Sequence, residues 1–267
     1  MWNPGRAKSR ALITKVDGAL LMAQNQGMAQ TPRERARLQT MDEILLIGRR
    51  HLVLHGAAGL SLRAVARDLG VVSSAVYRYV KSRDELLTLL LVDGYNALGD
   101  AVDLAVGRVP ADDFPGQFRA LGRAVREWAL AEPARYGLLF GSPVPGYDAP
   151  AEQTTGPGTR VIARLVGILE GAYIVRHGAG APAGGAADAG VVPAPGHILA
   201  ADFRAIRAEW AITADDEALA RGVLAWAAIF GAVSFEVFGQ YGKATFRDPA
   251  ALFEVQLDIL AGTAGLS

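Results

Sequence analysis

LSLRAVARDLGVVSSAVYRYVKSRDELL, from Leu60 to Leu87, is the stretch whose reading decides the fold. Ser61 can cap a helix with its side-chain oxygen, and Leu62, Val65, Ala66 and Leu69 then recur at three- and four-residue spacing along one helical face. Gly70 stands where a left-handed backbone angle ends that helix, and Val71 and Val72 carry the chain through a tight turn between two steeply crossed helices. A second helix starts at Ser73. Val76 and Val80, four apart, face the first helix, which turns Ser73, Ser74, Ala75, Tyr77, Arg78 and Tyr79 outward. Ser82 and Glu85 have the spacing of a capping box and open a long apolar helix at Leu86.

The outward face is small, polar and aromatic. Such a face suits a helix lying in the major groove of DNA, where small residues allow close approach, hydroxyls reach phosphates or base edges and arginine can bond guanine bidentately. Lys81 and Arg83 lie just beyond it, placed for the phosphate backbone. Periodicity alone is equally compatible with a helical packing unit that touches no nucleic acid, so the charge map matters. The net charge of the chain is zero, but the charges segregate. Between Thr31 and Arg83 there are ten basic residues (Arg33, Arg35, Arg37, Arg49, Arg50, Arg63, Arg67, Arg78, Lys81, Arg83) against four acidic ones (Glu34, Asp42, Glu43, Asp68). From Asp84 onward there are 13 basic and 22 acidic residues. A basic head on an acidic body is the footprint of a phosphate-binding module joined to a separate regulatory part.

With those residues in view, the segment HGAAGLSLRAVARDLGVVSSAVYRYVKSRDELL resembles the DNA-binding domain of the TetR/AcrR (tetracycline-repressor-like) transcriptional regulators, and the match extends from about Leu38 to Leu91. Tyr79 and Val80 depart from the His-Phe pair common in that family; they keep a polar aromatic tip and an apolar core side chain. The run Ala225 to Gly239 (Ala-Trp-x4-Gly-x4-Glu-x-Phe-Gly), with Ala134-Arg135-Tyr136 and Phe140-Gly141-Ser142-Pro143, is similar to one C-terminal subclass of these regulators. The resemblance implies an all-α protein: an arm over 1–30, a helix-turn-helix domain over 31–92, and a helical effector-binding and dimerisation domain over 93–267. It implies a homodimeric, cytoplasmic repressor that leaves a pseudo-palindromic operator when a small apolar effector binds. Ser61, Arg63, Ser73, Ser74, Tyr77, Tyr79, Lys81 and Arg83 would position on phosphate or bases, with Arg78 reaching a base edge. Trp128, Tyr136, Phe140, Trp226 and Phe230 are the candidate effector contacts, although aromatic residues at helical spacing are also ordinary core.

Outside the decisive stretch the chain predicts further helices. Thr31-Pro32-Arg33-Glu34 is a firm start for one that runs to about His55, with Ile44, Ile47, Leu52 and Val53 as its buried side. Leu86, Leu87, Leu90, Leu91, Tyr95 and Leu98 predict a helix to about Val106 that links head and body; Phe114–Leu130, Pro133–Phe140 and Thr159–Arg176 follow. Proline and glycine mark 141–158 as a loop, and 178–196, almost wholly Ala, Gly, Pro and Val, as a flexible loop. Asp202–Trp210 is a short helix, Thr213 and Asp216 form a capping box for a helix through Gln240, and a last helix runs from Asp248 or Pro249 to Leu260. Gly222, Ala225, Gly231 and Ala232 allow close helix approach at a dimer face. Glu236 is either a rim residue or a buried acid facing a partner or ligand.

Residues 1–30 read as a mobile arm whose Arg6, Lys8, Arg10 and Lys15 can touch the minor groove, or as an extension upstream of a start at Met28. The chain has no Cys, which removes disulfides and thiolate chemistry, and no unbroken apolar run of the roughly 20 residues that cross a bilayer. His51 and His55 have the spacing of a helical metal pair but no third ligand beside them, so they read as helix-end residues near solvent or DNA. No GxSxG elbow, P-loop or dinucleotide fingerprint is present. The expectation is therefore no catalytic residue, no metal and no cofactor. The alternative to a regulator is an all-α adaptor that does not bind DNA.

Overall fold

A computed structural model describes residues 31–178, 197–242 and 244–266. The expectations for the arm over 1–30, and for the loop over 178–196 beyond Gly178, lie outside the described residues. Among those residues the chain is all-helical. The elements are α1 (Pro32–His55), α2 (Leu62–Asp68), α3 (Ser73–Val76), α4 (Arg83–Val106), α5 (Phe114–Ala131), α6 (Pro133–Phe140), α7 (Ala151–Gly158), α8 (Arg160–His177), α9 (His197–Trp210), α10 (Asp216–Val237) and α11 (Pro249–Thr263).

Two hydrophobic cores share one helix. The head core joins Ile44, Ile47 and Leu52 of α1, Leu62, Val65 and Ala66 of α2, Val76 and Val80, and Leu86, Leu87 and Leu90 from the first half of α4. The body core takes Leu98, Val102 and Val106 from the second half of α4, with Phe118, Leu121 and Val125 of α5, Leu165 and Ile168 of α8, Ile229 and Val233 of α10, and Phe253 and Leu257 of α11. Because every buried position on α4 is set by one helical phase, the head cannot turn relative to the body without disturbing one of the two cores.

Local chemistry accounts for the helix ends. Thr31 and Glu34 form the full capping box of α1. At the end of α2, Gly70 takes φ +75°, and Gly70 N–H and Val71 N–H donate to the carbonyls of Arg67 and Ala66, the paired bonds of a Schellman turn. The Ser82 cap of α4 is only half of the expected box. Its hydroxyl accepts from Glu85 N–H, but the Glu85 carboxylate accepts from Lys81 N–H, one residue earlier than predicted.

Several expectations are corrected. On α1 the buried stripe runs through Ile44, Ile47, Gly48, His51 and Leu52, so Val53 falls outside it and is 71% exposed. The supposed loop 141–158 contains α7, which packs along α4; Gly158 lies against the ring of Tyr95, a contact that local proline and glycine content does not reveal. α9 begins at His197, five residues before the expected Asp202. The cap of α10 is Asp215, whose carboxylate accepts from Ala218 N–H, while Thr213 donates through its backbone and hydroxyl to Glu170. That helix stops at Val237, with Gly239 at φ +70°, rather than at Gln240.

α10 is, by length and composition, apolar enough to cross a membrane. Here it supplies Leu219, Ala225, Ile229 and Val233 to buried positions. Ala225 is fully buried, so it is core rather than a small residue on a free face. Glu236 is neither a rim residue nor a free buried acid: its carboxylate takes two hydrogen bonds from Arg126 of α5, with both side chains about 15% exposed.

At the α4–α8 contact, Arg160 and Arg164 converge on Asp103, and Gly99 leaves the space that the Arg160 guanidinium fills. Partial burial opposes ionisation of Asp103, but the hydrogen bonds and charges of the two arginines outweigh it and hold the carboxyl below its ordinary range. A carboxyl depressed on folding stabilises fully above its unfolded pKa and loses that contribution as pH falls through the folded value. Urea unfolding measured in steps below pH 5 or so should therefore show an acid-side decline that is shallower in Asp103→Asn.

Candidate nucleic-acid interface and ligand cleft

The candidate DNA-contact residues of the head differ in their exposure and in their partners. α3 is a single turn, continued by Tyr77 N–H to Ser73 O and Val80 N–H to Val76 O bonds, and Val76 and Val80 anchor it to the head core. Ser74, Tyr77 and Arg78 are exposed on its outer side, with Lys81 beyond them and Arg63 on α2; Ser73 is half-buried. Tyr77 is 44% exposed, enough for a ring to lie against a duplex while its base stays on the fold. Ser61 is the half-buried cap of α2, accepting from Ala64 N–H at 3.5 Å, so its hydroxyl is partly committed to the fold.

Two of the predicted DNA contacts are engaged inside the head. Arg83 donates to the carbonyls of Ala57 (3.0 Å) and Ala58 (3.3 Å), tying the start of α4 to the α1–α2 loop. Tyr79 is half-buried against the head core and lies under the Arg37 guanidinium, 5.8 Å from the ring centre. His51 is not a solvent-facing residue: it is 3% exposed, and its Nε2–H donates to the Asp68 carboxylate at 2.8 Å. That bond fixes the end of α2 against α1 and holds the Asp68 carboxyl below its ordinary range. Among the described residues no group of three metal-ligating side chains occurs.

Arg67 and Val72 are also exposed on the head. Arg67 follows Arg63 by four residues on α2, the spacing that puts both on one face, and its side chain is 78% exposed. Val72, in the turn before α3, is 71% exposed, where an apolar side chain can meet a thymine methyl.

Of the five aromatic effector candidates, Tyr136 lies in the body core and Trp128, Phe140, Trp226 and Phe230, half-buried, pack against it. Tyr136 is fully buried and its hydroxyl pairs with Ser234 at 2.9 Å. Phe140 lies 5.0 Å from Tyr136 and 4.7 Å from Phe230, which lies 4.2 Å from Trp226. Trp128 carries the Arg135 guanidinium over its ring at 5.4 Å. None of the five lines the open space nearby. A cleft of about 450 Å³ lies instead between α4, α6, α7 and the 141–149 segment, with Leu91, Leu138 and Leu139 among its apolar lining and Tyr95, Tyr147 and Thr155 among its hydroxyl-bearing residues.

A helix-turn-helix head with an exposed basic and aromatic face, on an all-helical body, defines the class of DNA-binding regulators. Residues 118–260 match the family described as Tetracyclin repressor-like, C-terminal domain. The HTH-type transcriptional regulator Mb1846 of Mycobacterium bovis is 48% identical over 229 residues, covering 85% of this chain and 93% of that protein. The HTH-type transcriptional regulator Rv1816 of Mycobacterium tuberculosis matches to the same extent, 48% over 229 residues. The crystal structure of a candidate regulatory protein, SCO4313, covers 87% of this chain and 100% of its own at 33% identity, with a TM-score of 0.68. The chain belongs to the TetR family: it is a DNA-binding transcriptional regulator and not an enzyme.

Proposed function

We propose that this regulator is a cytoplasmic homodimeric repressor that holds a pseudo-palindromic operator and releases it when a small effector enters the body. Residues 31–92 act as the DNA-binding domain and 93–267 as the effector-binding and dimerisation domain. The observation that carries the reading is a pair of exposed surfaces, one on the head and one on the body. One is the exposed Arg63, Arg67, Ser74, Tyr77, Arg78 and Lys81 set on the head. The other is an apolar face on α10 and α11, where Val223, Leu224, Val255 and Ile259 are each more than half exposed. An apolar face of this kind on two packed helices suits burial against a second copy. Pairing two heads through the body would set the recognition helices about one duplex turn apart, ~34–36 Å.

Sedimentation equilibrium and a gel shift against DNA upstream of the protein's own gene test both halves. The expected result is a dimer that shifts a fragment at low salt and loses affinity steeply as salt rises. Leu224→Glu combined with Ile259→Glu should give a folded monomer with at least about a hundredfold weaker operator binding, because one head loses the partner that makes the second contact effectively intramolecular. A double variant that stays dimeric would remove the face from the proposal, and a dimer that shifts no fragment would leave the adaptor.

A further inference from the structure

The cleft shares a wall with the head. Leu138, Ser142, Pro143 and Val144 line it on one side; the same four residues line a groove of about 410 Å³ on the other, whose opposite bank is Leu52, His55 and the Gly56–Ala58 loop. The 141–149 segment is therefore a strap between an open cleft in the body and the underside of the head. Val144 and Tyr147 line the cleft and also pack against the head core. The Tyr147 hydroxyl lies 2.8 Å from the Thr88 hydroxyl, and Thr88 in turn donates to the Asp84 carbonyl at 2.9 Å. A hydroxyl has one proton, so with Thr88 donating to Asp84, Tyr147 is the donor in the first bond. That chain ends in the first turn of α4, next to Arg83, whose guanidinium clamps the Ala57 and Ala58 carbonyls.

The lining also restricts the guest. Among the described residues, the cleft lining itself includes no Asp, Glu, Lys, Arg or His. A charged ligand would give up hydration there with no opposite charge to replace it, whereas a neutral one meets leucine side chains and hydroxyl groups. Burial pushes the Tyr95 and Tyr147 phenols further above their ordinary range, so both remain protonated donors at neutral pH.

We propose that the cleft binds an uncharged molecule with an apolar body and a hydrogen-bond acceptor, and that Tyr147 reports its arrival to the head by exchanging Thr88 for the ligand as the acceptor of its proton. This rests on the effector reading above. It adds the chemistry of the effector and the route: the strap, anchored in the head core by Val144, loosens from the first turn of α4 when the Tyr147–Thr88 bond is given up.

The test uses the full chain without DNA, so its outcome is independent of whether the protein represses. Methyl decanoate and decanol serve as neutral probes, decanoate and decylammonium as charged ones of matched length. Binding is followed by calorimetry, and hydrogen exchange is followed in peptides covering 55–61 and 82–90. The neutral probes should bind at least about tenfold more tightly than either ion. At saturation they should speed exchange in both head peptides. Tyr147→Phe should weaken the neutral probes by no more than about tenfold, the range of one lost hydrogen bond, yet abolish the head response at saturation. Tyr95→Phe, which removes the other phenol without touching Thr88, should keep that response. Decanoate or decylammonium binding as well as the ester, or a head response that survives in Tyr147→Phe, would overturn the proposal. Loss of the operator shift with these results intact would count against repression alone.

Discussion

Asp93→Ala is expected to lower stability by about 3 kcal/mol, toward the low end of what removing one partner from a buried ion pair costs. Asp93 sits on α4 between the two cores and serves one arginine from each side. Arg49 of α1 donates to it through Nε at 2.9 Å and through Nη2, and Arg135 of α6 donates to its carboxylate at 2.8 Å and its carbonyl at 3.1 Å. Arg135 is 8% exposed and its Nε is a buried donor without a hydrogen-bond partner; among the described residues its other ion-pair partner is Glu132 at 3.8 Å. Removing Asp93 leaves that guanidinium charged and desolvated. Arg49 is 38% exposed and can turn to water, which is why the low end of the range applies. Urea unfolding followed by circular dichroism gives the number. Adding Arg135→Met to Asp93→Ala should recover part of the loss, since the stranded charge is then gone. A drop below about 1 kcal/mol in the single variant would mean that the pair behaves as a surface contact.

Replacing Arg78 and Lys81 together by alanine should weaken operator binding by about 2–4 kcal/mol, roughly 30- to 1000-fold, with stability unchanged because both side chains are exposed. The two losses should be separable. Lys81→Ala alone should weaken binding to all sequences and reduce the slope of log affinity against log salt by about one. Arg78→Ala should relax discrimination at one base pair while leaving most of the non-specific affinity. Fluorescence anisotropy at several salt concentrations, with operator and scrambled duplexes, reads both. Equal affinities for wild type and double variant would move the interface off α3.

The head was legible because its signals are local. The apolar spacing of α2, the left-handed Gly70 and the Val76–Val80 pair are each set within a few residues, and Leu62, Val65, Ala66, Val76 and Val80 are all buried as that spacing requires. Arg83 was misread because its partners are backbone carbonyls some 25 residues away, and carbonyls leave no trace in side-chain patterns. His51 was misread for a related reason: the residue that makes its burial tolerable, Asp68, belongs to another helix. Aromatic spacing singles out Tyr136, Phe140, Trp226 and Phe230, which pack on one another as a core does, whereas the open space lies on the other side of α6. α7 hid behind its own composition, since an eight-residue helix holding Gly156, Pro157 and Gly158 draws its order from α4 rather than from intrinsic propensity.

The shared use of α4 by both cores has a geometric consequence. Its 24 residues form a rod of about 36 Å. If the body fixes one end, a tilt of only about 5° carries the other end on the order of 3 Å, the length of a hydrogen bond. Small rearrangements deep in the body are thus magnified at the duplex, and two such rods in one assembly would add their errors across the operator.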